Sequence, residues 1–350
     1  MERCFALLLI SILWSCSTSS SKQTLRSDLK ELPSVSTSIS RIAFGSCNRE
    51  TLPQPMWPVI SSNQPDLWIW LGDNIYGDTE DMSVMREKYL QQKKHPAYRE
   101  FIRQFPVIGI WDDHDYGVND GDKNYAQKSA SKDLMLDFLD VPKKAAVRQR
   151  EGAYQQYTYG TGAQKIKVLL LDSRYFRDPL QADTVTGQRY LANPEGDLLG
   201  EAQWQWLEAE LRNSDAALHL IANGIQMIPE EHAFEKWANF PRARKRLFDL
   251  LEAIKPAGTI LLSGDRHIGE ISRIELDGLD YPLYEITSSG LTHSYEAASG
   301  EANRHRVGEL TGQKNFGLIT ITWTRKGPVV NAEIKGLDNQ AFAQAGIQFH

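Results

Sequence analysis

Four short apolar runs in this chain of 350 residues each stop at a group that can bind a cation or move a proton. RIAF runs into Gly45-Ser46-Cys47, and LWIWL into Gly72-Asp73, with Tyr76 three residues on. VIGIW ends in Asp112-Asp113-His114-Asp115, and TILLSGDRH delivers Asp265 and His267. Runs of this length and composition read as strands buried on both faces of a sheet. In open α/β sheets the carboxyl ends of the strands are where ligands bind. One Gly-Asp at a strand end is ordinary turn chemistry. Four ends bearing thiol, phenol, carboxylates and imidazoles predict a shared site, with the ends in sheet order along one edge. Such a set suits metal-assisted hydrolysis. A carboxylate bridges cations, further ligands hold each one, and an imidazole orients or protonates the departing group.

The segments between these ends are of the kind that set strands side by side. Pro55 to Ser62 and residues 81–105, broken before Pro96, have helical character, as does the stretch from Ser131 to Leu139. GAYQQYTYG alternates as a strand, and KIKVLLLDSR gives another buried strand that ends in Asp172 with Arg174 beside it. Arg174 has two readings, a bidentate contact to a phosphate oxygen or a buried partner for Asp172. GEAQWQWLEAELRNS is an amphipathic helix, LHLIANGIQMI a strand, and 241–254 a helix with Leu247, Leu250, Leu251 and Ile254 on its apolar face. The remainder, through VVNAEIKG, is mostly strand. Trp68, Trp70, Trp204 and Trp206 fall in regular patterns and are expected in the core. Trp237 and Phe240, in the irregular KWANFPRAR, have two readings, core residues or part of the entrance to the site.

At 41% hydrophobic, the chain can bury one large core, and its formal charge of −6 argues against a general nucleic-acid binder. Arg3 precedes FALLLISILW, a run of signal-peptide length that is too short to span a bilayer. Leu13-Trp14-Ser15-Cys16 resembles a bacterial lipobox, so the alternatives for residues 1–19 are a lipoprotein leader, with a lipid anchor at Cys16, and a plain secretory signal. Either predicts export to a periplasm or cell surface. Residues 20–39 read as a polar tether and 40–350 as one domain. With Cys4 and Cys16 in the leader, Cys47 is the lone thiol of that domain and cannot form a disulfide within it.

Taken together, GSCN, GDNIYGD, WDDHD and LLSGDRH resemble the PhoD-like (alkaline phosphatase D) group of the calcineurin-like metallophosphoesterases, over roughly Arg41 to Ser294. The resemblance implies a four-layer α/β/β/α sandwich of two mixed sheets flanked by helices, with the last third of the chain completing the second sheet. It implies that Cys47, Asp73, Tyr76 and His267 hold ferric iron (Fe3+), Asp73 bridging, and that Asp113, Asn119 and Asp265 hold one or two calcium ions (Ca2+). Other divalent metals are alternatives. The donor types agree, since thiolate, phenolate and carboxylate favour a trivalent ion and oxygen-rich ligands suit calcium. His114 would hydrogen-bond the phosphoryl group or the leaving oxygen, with Arg174 on a phosphate oxygen and a metal-bound hydroxide attacking phosphorus. Two positions depart from the superfamily pattern. Asn223 or Gln226 would replace an absent metal-binding histidine, His219 being structural, and Asp265 in GDRH replaces an imidazole.

The implied activity is an exported, monomeric phosphoric-ester hydrolase acting on monoesters, diesters or both, in small molecules or polymers. The alternative is a non-catalytic surface protein that binds phosphorylated polymers in the same groove. Such a protein would be free to lose ligands, whereas Cys47, Asp73, Tyr76, Asp113, His114 and His267 are all present.

Overall fold

The computed structural model describes residues 1, 30–185, 189–298 and 300–349. The leader expected at 1–19, apart from Met1, and the first half of the tether lie outside them. The second half of the expected tether is not free of the domain. The Lys30 amide donates to the Ile102 carbonyl at 2.6 Å, and Ile39 is buried in the core.

The chain runs β1 (Arg41–Gly45), α1 (Met56–Ser62), β2 (Leu67–Leu71), α2 (Met82–Lys94), α3 (Pro96–Gln104), β3 (Val107–Ile110), α4 (Asp113–Tyr116) and α5 (Lys128–Phe138). Then come β4 (Gln155–Tyr159), β5 (Ile166–Leu170), a small hairpin of β6 (Gln181–Ala182) and β7 (Tyr190–Leu191), and α6 (Gly200–Arg212). β8 (Leu218–Ala222), α7 (Pro241–Ile254), β9 (Thr259–Ser263), β10 (Gly269–Ile274) and β11 (Leu283–Ser288) follow. β12 (Phe316–Thr324), β13 (Gly327–Lys335) and β14 (Ala341–Gln348) end it. Pro96 opens α3 at a position where a missing N–H costs nothing, which is why the helical stretch splits there.

Two six-stranded sheets form, in the orders β14-β13-β12-β1-β2-β3 and β10-β11-β9-β8-β5-β4. β1, β2 and β3 are mutually parallel, as are β5, β8, β9 and β11. The last third of the chain therefore does not complete one sheet. β10 and β11 join the second, while β12 to β14 extend the first from β1. The strand end at Cys47, Asp73 and Asp113 belongs to the first sheet and that at Asp265 to the second, so the ends are split between two facing sheets.

Period-two side-chain alternation explains the layers. Val168 and Leu170 of β5 point into a core shared with the first sheet, while Leu169 and Leu171 pack with Trp204, Leu207, Leu247 and Leu251 of α6 and α7. On the other side, Trp68 and Trp70 of β2 meet Trp57 of α1 at centroid distances of 5.2 and 5.3 Å, edge to face. Trp57 also lies 4.8 Å from Tyr98 and 5.0 Å from Phe101 of α3. The result is helices, sheet, sheet, helices, as expected. Trp237 and Phe240 are fully buried in the α6–α7 core, not at an entrance. Of their two readings the core one holds, because the apolar residues of KWANF feed the layer beneath.

His219 lies at the start of β8, with its ring nitrogens on the Gly258 carbonyl at 3.0 Å and the Ser214 hydroxyl at 2.7 Å. Burial lowers its pKa to about 4. The unfolded chain regains about 6.5, so the stability held by neutral His219 is complete above that pH and drains away as pH falls towards 4. His219→Asn should flatten the loss of stability between pH 6.5 and 4 in urea titrations, and an unchanged slope would count against it. Trp57→Ala empties the aromatic contact between α1, α3 and β2. It should lower unfolding free energy by about 3–5 kcal/mol, measured as a lower denaturant midpoint at constant m-value.

Candidate metal centre

The strand ends hold their ligand groups by unusual backbone. Cys47, Asp73, Asp265 and His267 all take positive φ, of 59°, 48°, 64° and 54°. For a non-glycine residue that conformation costs about 1–3 kcal/mol each and persists only where the surroundings impose it. The loops that carry these residues are closely packed. A Cβ on Gly72, itself at φ 95°, would stand 2.3 Å from Asp112 Cβ, and one on Gly224 would stand 2.0 Å from Asp112 Oδ1. Asp115, the last acid of WDDHD, clamps the two loops, its carboxylate accepting from the backbone N–H groups of Asp73, Asn74 and Asp112 at 3.1, 3.2 and 2.7 Å.

Cys47 Sγ lies 3.4 Å from Asp73 Oδ2 and 3.1 Å from Ser289 Oγ. The Tyr76 hydroxyl is 3.3 Å from the same Asp73 oxygen and 2.9 Å from His267 Nε2. One ligand atom from each of Cys47, Asp73 and His267 falls within 4.8 Å of the others. Among the described residues three more such groups adjoin this one, namely Asp73 with Asp113 and His114, Asp112 with Asp113 and Asp265, and Asp113 with Asp120 and Glu235. Asp73 and Asp113 each serve more than one group, as bridging ligands do. A cavity of about 260 Å3 opens over them, lined by Asp113, His114, Asn119, Asp120, Asp265 and His267 among others. Asn119 is in that wall, but its amide donates to Asp120 at 2.7 Å.

Burial dominates the electrostatics. It raises the Cys47 thiol well above its usual range, with Asp73 adding to the effect, and it does the same to Asp73 and Tyr76. Asp265 is pushed up to about 8 by burial and by Asp113 and Glu235. Burial alone would lower His114, yet the carboxylates of Asp73, Asp113 and Asp78 outweigh it and hold the imidazole at about 10. His267 falls to about 3 through burial and the neighbouring imidazoles, so it is a neutral donor of lone pairs. Buried acids in excess of their counter-charge are paired or coordinate metals. Asp112 Oδ2 is buried with no hydrogen-bond partner. The donor set therefore fits cations, with sulfur, phenol and imidazole around one place and carboxylates around the next.

Arg174 is a correction. Its guanidinium is fully buried, with Nε on Asp112 Oδ1 at 2.7 Å and Nη1 on Glu235 Oε2 at 2.6 Å. Sealed beneath the cavity, it has no path to a phosphate, and Asp172 receives only its backbone N–H, at 2.9 Å. Asn223 Oδ1 is already occupied, accepting from Ile225 N–H and Trp237 Nε1. Gln226 donates to Glu270 and Thr287, while its Oε1 is buried without a partner.

Several residues escaped the sequence reading. Asp78 holds His114 Nδ1 at 2.6 Å and was legible as the second acid of GDNIYGD. Asp120 and Glu235 come from loops, with no motif to mark them. His293 packs its ring 4.4 Å from that of His267 and 5.0 Å from Tyr76, and its Nε2 is buried without a partner. As a single histidine in a loop, it gave no signal.

The chain is similar to known proteins in sequence and in fold. The chain is 25% identical to alkaline phosphatase D of Bacillus subtilis over a 320-residue alignment covering 75% of this chain and 53% of the relative, so it spans about half the length of that curated protein. The solved structure of PhoD superposes with a TM-score of 0.68 at 16% identity, covering 92% of this chain and 74% of the other. Purple acid phosphatase PPD1 from yellow lupin (Lupinus luteus) seeds gives 0.58 at 13% identity, over 90% of this chain and 55% of the other. A dimetal phosphatase from Danio rerio gives 0.55 at 11% identity, over 89% and 100%. At such identities these structures speak for the fold alone. The PhoD-like phosphatase family model matches residues 42–316, which include all four strand ends, and the chain belongs to that family.

Proposed function

We propose that the chain is a metal-dependent hydrolase of phosphoric esters, exported by the leader read at residues 1–19. The observation that carries this reading is the convergence of Cys47, Asp73, Tyr76 and His267 on one place beside a carboxylate-rich second place. By family resemblance the first four would hold ferric iron, and Asp113, Asn119 and Asp265 would hold calcium, with Asp120 close to Asp113 in the structure. The bound cations would supply Lewis acidity and a water acidic enough to attack phosphorus at neutral pH. The chain's own residues do the rest. His114 Nδ1 stays on Asp78, which fixes the ring and keeps it charged, leaving Nε2–H to donate to the phosphoryl or departing oxygen. The Tyr76 ring beneath it, at 4.2 Å between centroids, limits its tilt.

Purified protein should hydrolyse bis-p-nitrophenyl phosphate, lose that activity on dialysis against a chelator, and regain part of it with calcium. Full turnover after exhaustive chelation would refute the metal requirement. His114→Asn should lower kcat by about 10²–10⁴-fold, with KM little changed and a smaller loss in Asp78→Asn. Wild-type kcat in His114→Asn would remove it from the reaction. The ferric assignment has a readout independent of activity. Protein purified in air should absorb in the visible, and Tyr76→Phe should shift or bleach the band while circular dichroism stays unchanged. A colourless, iron-free protein of full activity would overturn iron and leave hydrolysis standing.

A further inference from the structure

Two aromatic rings stand at the lip of the cavity, and neither belongs to the cores. Phe234, from the loop after β8, is half-buried, and Tyr295, from the loop after β11, is 40% exposed. Both line the same cavity as Asp113, His114, Asp265 and His267. Their centroids are 6.0 Å apart at an interplanar angle of 74°, so one ring presents an edge to the other and a face remains open. Tyr295 is the only aromatic among the strongly exposed large apolar side chains of the described residues.

Both rings are held in place without a ligand. The Tyr295 amide donates to the carbonyl of His267 at 2.7 Å, which ties the ring's backbone to a candidate metal ligand. The Phe234 carbonyl accepts from Lys236 Nζ at 3.1 Å, and the Arg266 guanidinium lies 4.4 Å from the ring centroid. Arg266 itself is locked on both oxygens of Glu301 at 2.6 and 2.7 Å. The one half-exposed cation of this wall is Arg189. It donates to Asp120 at 3.1 Å and to the Tyr190 hydroxyl, and its guanidinium lies 5.8 Å from the Phe234 ring. A guanidinium has five N–H donors, so Arg189 has others to offer an anionic oxygen.

We propose that this lip selects phosphoric esters carrying a planar aromatic group, which stacks on Tyr295 against the edge of Phe234 while Arg189 meets a non-bridging oxygen. The proposal rests on the phosphoric-ester reading of the same cavity and adds the substrate class. A nucleobase and a simple aryl group share the flat π-face that the rings recognise. An alkyl group of equal bulk has no such face.

The test is direct binding to the metal-loaded protein by calorimetry, with turnover of bis-p-nitrophenyl phosphate measured alongside. Phenylphosphonate should bind roughly tenfold more tightly than methylphosphonate, as one stacked ring would give, with cyclohexylphosphonate well short of phenyl. Tyr295→Ala should bring the phenyl-to-methyl ratio close to one without moving the methylphosphonate Kd, and Tyr295→Phe should restore it. Adenosine 5′-monophosphate against ribose 5-phosphate separates the sources, a preference there naming a nucleobase and its absence a simple aryl group. A phenyl-to-methyl ratio near one in the wild type, or one that Tyr295→Ala leaves unchanged, overturns the proposal even if turnover is normal. Conversely, a preserved ratio without turnover leaves the aromatic lip standing and removes the hydrolase reading.

Discussion

A guanidinium sealed from water at the meeting of two sheets is what lets the acids around it stay together. Arg174 follows β5 of the second sheet and binds Asp112, at the end of β3 of the first, and Glu235, in the loop after β8. Without that charge, Asp112, Glu235, Asp113 and Asp265 would be buried carboxylates facing one another, relieved by Arg177 at Glu235, His114 at Asp113 and Arg266 at Asp265. A buried ion pair of this kind is weak evidence for stability but strong evidence for a required geometry, because removing one partner strands the other. Asp113 shows the result. Although burial pushes it up, Arg174 and His114 hold it down at about 2, so it keeps its charge inside the fold.

The strained backbone belongs to the same economy. Four ligand-bearing residues in left-handed conformation run against local preference, and the glycines at 72 and 224 are what allow the loops to close on Asp112. Local rules fail where the chemistry is concentrated and hold almost everywhere else.

That division also explains how much of the molecule was legible in the sequence. LWIWL, VIGI and TILLS were readable as strands because an apolar run with a hard polar stop has few other meanings, and the resemblance of their end motifs gave the layered architecture. The sheet to which each strand belongs was not readable. β12 pairs antiparallel to β1 across more than 270 residues of sequence, and no local pattern records such a pairing. β14, AFAQAGIQ, alternates, but mostly small residues with polar ones, Ala343, Ala345 and Ile347 facing inward, so its signal for a strand was weak. Ligand groups on motifs were found, whereas Asp120, Glu235, His293 and the two lip aromatics sit in loops whose composition says nothing about where they return. Trp237 and Phe240 mark the limit of reading irregular stretches as surface, for they are among the best-buried rings in the protein.

The sulfur of Cys47 lies 3.5 Å from the backbone carbonyl of Asp265, across 218 positions of sequence. Cys47 follows a strand of the first sheet and Asp265 one of the second, so this contact exists only once the two sheets have met. Closing so long a stretch of chain is an entropic cost that neither half can recover alone. A molecule with either sheet unfolded therefore has half of the candidate site and none of its enclosure.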